Sequence, residues 1–307
     1  WDEYSKYLLG GAFLLLVVVL IPGIGYEVNG SRRWIRLGFM NFQVSEATRV
    51  MLLMYVASYA VRRSDELRSD FKSFLVPVGV LVAAALLLLV EPDFGAATVL
   101  FATGLGVLFL AGARIVHLLV PVVAGSIGLA ALAVVSPYRL RRLTGFLDPW
   151  GDPFDSGFQL VQSLIAIGRG EWLGVGLGAS VQKLFYLPEA HTDFVFAVLA
   201  EEFGFLGVTV VVGLFALLVT RALMISREAA QAGQAYQSYV AAAIGIWLGL
   251  QAFVNIGVNM GLLPTKGLTL PLLSYGGSSM LVTLGWIGVL LRIHHDTQAT
   301  GRVRVAP

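Results

Sequence analysis

The densest group of residues able to move protons is the stretch LPEAHTDFVFAVLAEE, residues 187–202. Glu189, His191 and Asp193 come just before an apolar run, and Glu201 and Glu202 lie about two helical turns inside it. Pro188 stops regular structure, and Asp193 opens the helix that follows. A carboxylate stationed where water meets lipid can serve as a general base. The competing role for Thr192 or Asp193 is a helix N-cap, satisfying free backbone N–H groups. One of Glu201 and Glu202 is expected to pair with a cation of a neighbouring span. Glu91 and Asp93 sit in a tight turn between two apolar runs, where a capping role is expected. Lys266, flanked by Pro264-Thr265 and Gly267 in a connection with almost no other charge, calls for an anion.

These residues are carried by an apolar scaffold. The chain is 57% hydrophobic and 13% charged, with a mean hydropathy of +0.80. A water-soluble chain would be about a quarter charged, so lipid must cover much of the surface. Leu8–Ile24, Phe74–Val90, Val116–Val135, Leu206–Leu223 and Tyr239–Val258 approach or reach the length needed to cross a bilayer as helices. Ser45–Val61, Ala96–Ala111 and Met280–Ile293 are weaker runs, which brings the expected number of spans to eight. The expected fold is an all-α polytopic helical bundle, a single membrane domain over residues 1–307.

With Trp1 inside, eleven Lys and Arg flank the inner connections and five the short outer ones, which favours this orientation. The outer five are Arg32, Arg33, Arg36, Arg49 and Lys266. They are expected either to meet an anionic ligand or to reach lipid phosphates. The long outer loop, residues 136–192, contains the amphipathic piece Phe158–Ile167, expected to lie on or dip into the membrane. The other outer connection, GLLPTKGLTLPLLSYGGSS (residues 261–279), is apolar yet broken by prolines and glycines, so it must line protein or a wet cavity.

Several classes are excluded. There is no cysteine, and the net charge of +2 is too small to suggest nucleic acid. GVGLGAS (residues 174–180) lacks the strand that a dinucleotide site needs, and neither a P-loop nor HExxH occurs. The four histidines are scattered, with His294 and His295 expected in solvent.

The stretches SRRWIRLGFMNFQVSE (31–46), EPDFGAATVLF (91–101), residues 152–207 including HTDF, and LLPTKGLTLPLLSYGGSS (262–279) resemble the SEDS family of peptidoglycan polymerases. The Lys-Gly-Leu-Thr run at 266–269 is similar to the division members of that family rather than the elongation members. Val44 and Glu91 depart from it, since the family often has Pro and Gln there. The resemblance implies about ten spans, so two are expected to precede Trp1. It implies polymerisation of lipid II into β-1,4-linked glycan, with the HTDF aspartate, Asp193, as catalytic base. Arg32, Arg33, Arg36, Arg142, Lys183 and Lys266 are the basic residues available to the pyrophosphate. Glu46, Asp93, Gln162, Glu189, His191 and Ser274 complete the expected substrate-binding set. No cofactor is required, although a divalent cation such as Mg or Mn could share the role of the cations.

The implied partners are a cognate class B penicillin-binding protein, the division transpeptidase, and a regulatory FtsQ–FtsL–FtsB subcomplex. The implied location is the bacterial inner membrane at the septum, with the active site facing the periplasm. A lipid II flippase and a non-catalytic division scaffold are the alternatives. The gathering of charge on the outer side favours the enzyme over the flippase.

Overall fold

A computed structural model describes residues 2–28, 30–36, 38, 40–135, 145–155, 157–265 and 267–305. The expected runs appear as long helices: α1 (Ser5–Leu20), α2 (Val44–Arg62), α4 (Phe71–Val90), α5 (Phe94–Leu110), α6 (Ile115–Val135), α8 (Val195–Gln231), α9 (Ala235–Asn259) and α10 (Gly277–Val305). A short α3 (Ser64–Ser69) and the amphipathic α7 (Phe158–Gly170) lie between them. Among the described residues, Phe71–Val90, Val195–Gln231, Ala235–Asn259 and Gly277–Ala299 are long and apolar enough to cross a membrane. The protein is therefore a mostly helical, multi-pass membrane protein. One element was not anticipated. Residues 25–43 form a three-stranded antiparallel sheet of β1 (Gly25–Val28), β2 (Ser31–Arg36) and β3 (Asn41–Gln43) in sequence order.

The chain divides into two compact units. The first comprises Trp1–Pro121, Leu218–Leu248 and Gly277–Pro307. Here α1 packs on α2, α4 pairs with α5, and α10 meets α2 and β3. Its apolar core includes Leu16, Leu52, Leu53, Leu81, Leu88 and Leu100. The turn between α4 and α5 is fixed by Asp93, whose Oδ1 accepts from Ala96 N at 3.0 Å, an N-cap of the kind expected.

The second unit comprises Val122–Leu217 and Gly249–Gly276. Its core joins Phe196, Phe215, Ala252 and Leu270, and a second cluster joins Ala166, Leu187, Ala190, Phe194 and Ala197. α7 runs alongside the first turns of α8. Ser163 Oγ donates to the Asn259 carbonyl (2.8 Å), while the Asn259 amide oxygen accepts from Ala197 N (3.1 Å). At the far end of α7 the chain turns through residues 171–176 and climbs back to a π-helical turn at Gln182–Tyr186. The amphipathic piece is thus one arm of a hairpin.

The hairpin is accommodated by a break in α8. Gly204 has φ 60° and ψ −161°, and a β-carbon there would lie 2.7 Å from Leu173 N. The break frees backbone groups that an apolar setting cannot leave unpaired. Val175 N donates to Glu201 O (2.9 Å) and Gly176 N to Glu202 O (3.1 Å), while Phe205 N donates to Glu171 O (2.8 Å) and Leu206 N to Trp172 O (3.2 Å). The glycine-rich run 174–178 lets the turn approach the broken helix.

Candidate active site

Asp193 is the last residue but one before α8. The turn leading to it is tight: Thr192 N and Phe194 N both donate to the Glu189 carbonyl at 3.1 Å, and Glu189 holds a left-handed φ of 56°. The Thr192 hydroxyl donates to the Glu189 carboxylate at 2.6 Å rather than capping the helix. Capping of Ala197 N comes instead from Asn259.

A stripe of amides on α9 fixes this turn. Gln251, Asn255 and Asn259 recur every fourth residue, so they share one helix face, and all three are buried. Asn255 Nδ2 donates to Asp193 O (2.9 Å) and Leu268 O (2.5 Å). Asn259 Nδ2 also donates to Asp193 O (3.0 Å), and Gln251 Nε2 donates to Thr269 O (2.9 Å). The connection that follows α9 is thereby tied to the same face as the Asp193 backbone. Ser274 completes the tie, its hydroxyl donating to Thr192 O (2.6 Å) and accepting from Leu270 N (2.7 Å). Tyr275 N donates to His191 O at 2.8 Å. Gly267 lies against the carboxylate: a β-carbon on it would be 3.0 Å from Asp193 Oδ2. The result is a partly buried carboxylate held by its own carbonyl, with the 261–276 connection laid over it.

The sequence carries a signal for the amide stripe. Polar side chains inside a span are costly and mark function or fixed structure, and three at a spacing of four form a line.

The other expected residues divide by unit. In the second unit, His191 and Glu189 are exposed, Gln162 is partly buried on α7, and Lys183 Nζ is paired with Glu202 Oε1 at 2.5 Å. Glu201 is fully buried. It accepts from Ser180 Oγ (2.5 Å), Val181 N (3.2 Å), Gln182 N (3.3 Å) and Arg169 Nη1 (3.0 Å). Both glutamates therefore find their cations in the hairpin, not in a neighbouring span. Arg142 and Lys266 lie outside the described residues.

In the first unit, Arg32 is paired with Glu27 at 3.0 Å on the surface, and Arg36 stacks 3.5 Å over the Tyr26 ring. Glu46 forms a buried ion pair with Arg49, whose guanidinium also faces the Trp247 ring at 4.7 Å. Besides capping α5, Asp93 accepts through Oδ2 from Gln43 Nε2 and Ser45 Oγ, each at 3.2 Å. These partners give Glu46 and Asp93 structural work. Arg33 Nε and both Glu91 carboxylate oxygens are buried with no hydrogen-bond partner among the described residues. Burial, with Asp93 adding to it and Arg33 opposing, pushes the Glu91 carboxyl up to about 8.

A cavity of about 560 Å³ in this unit, rimmed by Asp2, Tyr236, Arg292 and Asp296, contains none of the expected site residues. Among the described residues no group of three or more His, Asp and Glu could hold a metal ion.

The family model of cell cycle proteins that groups FtsW, RodA and SpoVE matches residues 1–299. The chain is 58% identical over 305 residues to a relative from Thioalkalivibrio sulfidiphilus named probable peptidoglycan glycosyltransferase FtsW, covering 99% of this chain and 76% of the relative. The chain belongs to the SEDS family. A relative of the same name from Nitrosococcus halophilus is 57% identical over 298 residues, covering 97% of this SEDS chain and 77% of the relative. Among solved structures, a peptidoglycan synthase complex described as coordinating polymerization and crosslinking superposes with TM-score 0.80 at 32% identity, covering 96% of this chain and 82% of that one. RodA of Thermus thermophilus superposes with TM-score 0.67 at 31% identity, covering 96% and 79%. The mostly helical multi-pass architecture of this SEDS protein is that of those structures.

Proposed function

We propose that this protein is a peptidoglycan glycosyltransferase that polymerises lipid II into β-1,4-linked strands at the division septum, releasing undecaprenyl pyrophosphate, with Asp193 as general base. The observation that carries the reading is the double amide clamp on the Asp193 carbonyl together with the Gly267 backbone against its carboxylate. A base works best when its geometry is fixed before substrate arrives.

In this mechanism the 4-hydroxyl of the acceptor GlcNAc gives its proton to an Asp193 carboxylate oxygen. The hydroxyl oxygen bonds to the anomeric carbon of the donor MurNAc as the bond to pyrophosphate breaks. One in-line displacement turns the α-linked donor into a β-linked product. Negative charge developing on the leaving pyrophosphate requires a cation. Lys183 is neutralised by Glu202, while Lys266 directly precedes Gly267 in the chain, so Lys266 is our candidate.

The solved complex that couples polymerization to crosslinking supports a class B penicillin-binding protein as partner. The Lys and Arg bias supports a periplasm-facing site in the inner membrane. The test is a gel assay of glycan strands made from lipid II by purified protein with its partner. Asp193→Ala should yield none, and strands at the normal rate would remove the assignment.

A further inference from the structure

Trp172 and Leu173, at the turn of this hairpin, are 71% and 74% exposed. The backbone of the turn is nevertheless bonded to the broken helix α8, through Leu206 N to Trp172 O and Phe205 N to Glu171 O. A loop in water has no need of such pairing, whereas hydrocarbon demands it. The Trp172 ring meets Phe205 edge-on at 5.3 Å, and Phe203, Phe205 and Leu206 are themselves exposed. One apolar surface therefore runs from the turn onto the helix.

That surface continues along a stretch without charge. From Phe203 to Thr220 no ionisable residue occurs, and Arg221 ends the run. Eighteen residues of helix rise about 27 Å, close to the roughly 30 Å of a hydrocarbon layer. The turn thus stands at one boundary of the layer, the level where tryptophan concentrates. The charges at the turn suit that level. Arg169, whose guanidinium lies 3.0 Å from Glu201, and Glu171 are both exposed, which suits the edge of the layer and not its interior.

We propose that the hairpin turn Arg169–Gly174 is a lipid anchor, in which Trp172 and Leu173 enter the outer leaflet beside the break in α8. Phospholipid is the occupant because the patch passes without interruption into the lipid-facing surface of the span. The anchor also sets a height. Val195–Phe203 raises Asp193 about 13 Å above the break, to the level of a lipid-linked sugar. That consequence rests on the role of Asp193, but the anchoring does not.

The chain contains no cysteine, so single-cysteine variants report without background. L173C is compared with F154C, at a site 90% exposed before α7, and V210C, in the apolar stretch of α8. Each is placed in lipid nanodiscs without partner protein and treated with a membrane-impermeant maleimide. F154C should label rapidly and V210C hardly at all, and L173C at least tenfold more slowly than F154C. A nitroxide at position 173 should be relaxed more by oxygen than by a water-soluble nickel chelate. Labelling of L173C at the F154C rate overturns the anchor. Protection that arises only on adding the penicillin-binding protein also overturns it, and makes the turn a protein-docking face. The same pattern is expected in an Asp193→Ala background, so failure of the polymerase assignment leaves this readout unaffected.

Discussion

Gly267 approaches Asp193 so closely that a β-carbon on the glycine would stand 3.0 Å from the carboxylate oxygen Oδ2. That separation is tighter than ordinary van der Waals contact, so one of the two must shift. Gly267 is exposed and needs no left-handed backbone, so its replacement by alanine should not unfold the protein. The carboxylate, at the end of a side chain, is the group that gives. Gly267→Ala should therefore lower kcat for glycan formation by roughly tenfold, in line with the cost of misplacing a catalytic group. KM and the thermal midpoint should change little. A gel assay over a range of lipid II concentrations, with thermal unfolding in detergent, checks the split.

Asn259 makes a different demand. It is fully buried, and its amide serves two elements at once, Asp193 O and Ala197 N. Asn259→Leu would remove one of the two donors to Asp193 O, which Asn255 still serves, and the side-chain acceptor of Ala197 N, which keeps Phe194 O. Each hydrogen bond lost contributes about 0.5–1.5 kcal/mol. A lowered thermal midpoint is expected together with loss of polymerisation. Asn259→Asp keeps the acceptor for Ala197 N but loses the donor to Asp193 O. That variant should keep more stability than Asn259→Leu and still lose activity. Equal melting of the two variants would show that the Ala197 bond does not matter.

How far the sequence reveals this arrangement depends on the scale of the signal. Each span was legible because hydropathy accumulates over fifteen to twenty residues. The Asp193 turn was legible because Glu189, His191 and Asp193 crowd one short stretch. The sheet at residues 25–43 was not, since strands of three to six residues carry too little alternation beside arginines that read as loop. The break at Gly204 was hidden for another reason. FGFLG reads as ordinary apolar helix, and only the crossing of residues 170–176 against it creates the need for glycine. The pairings of Glu46, Asp93 and Lys183 depend on what the fold brings near them, which residue type alone does not specify.

Glu91 gives a pH dependence whose sign follows from its burial. Folded, its carboxyl holds a proton up to about pH 8, whereas its ordinary value is 4.5. Between these limits the folded state binds more protons than the unfolded state, so stability falls as pH rises. Asp93 adds to the shift and Arg33 reduces it. Glu91→Gln, which restores the amide frequent in the family at this position, carries no titrating proton. The thermal midpoint of Glu91→Gln relative to the natural protein should therefore rise from pH 5 to pH 8 and level off above. Unfolding measured in detergent across that range tests this, and parallel pH curves for the two proteins would refute it.

Glu201 is the keystone of the hairpin, and its loss should be felt there before anywhere else. Its carboxylate gathers the Ser180 hydroxyl, the Val181 and Gln182 amides and the Arg169 guanidinium. Arg169 is half exposed, so its ion pair is screened and contributes little. The buried Ser180 hydroxyl and the two backbone donors are the costly groups to abandon. Glu201→Gln retains one acceptor oxygen and should loosen the segment partially. Glu201→Ala retains none. In hydrogen exchange, the amides of residues 175–187 should lose protection in the order natural protein, glutamine variant, alanine variant. Amides of α9 near Gln251 should keep theirs, because the amide stripe holds that face independently. If the alanine variant exchanged like the natural protein across 175–187, the hairpin would owe its shape to the backbone bonds at Gly204 and not to the carboxylate.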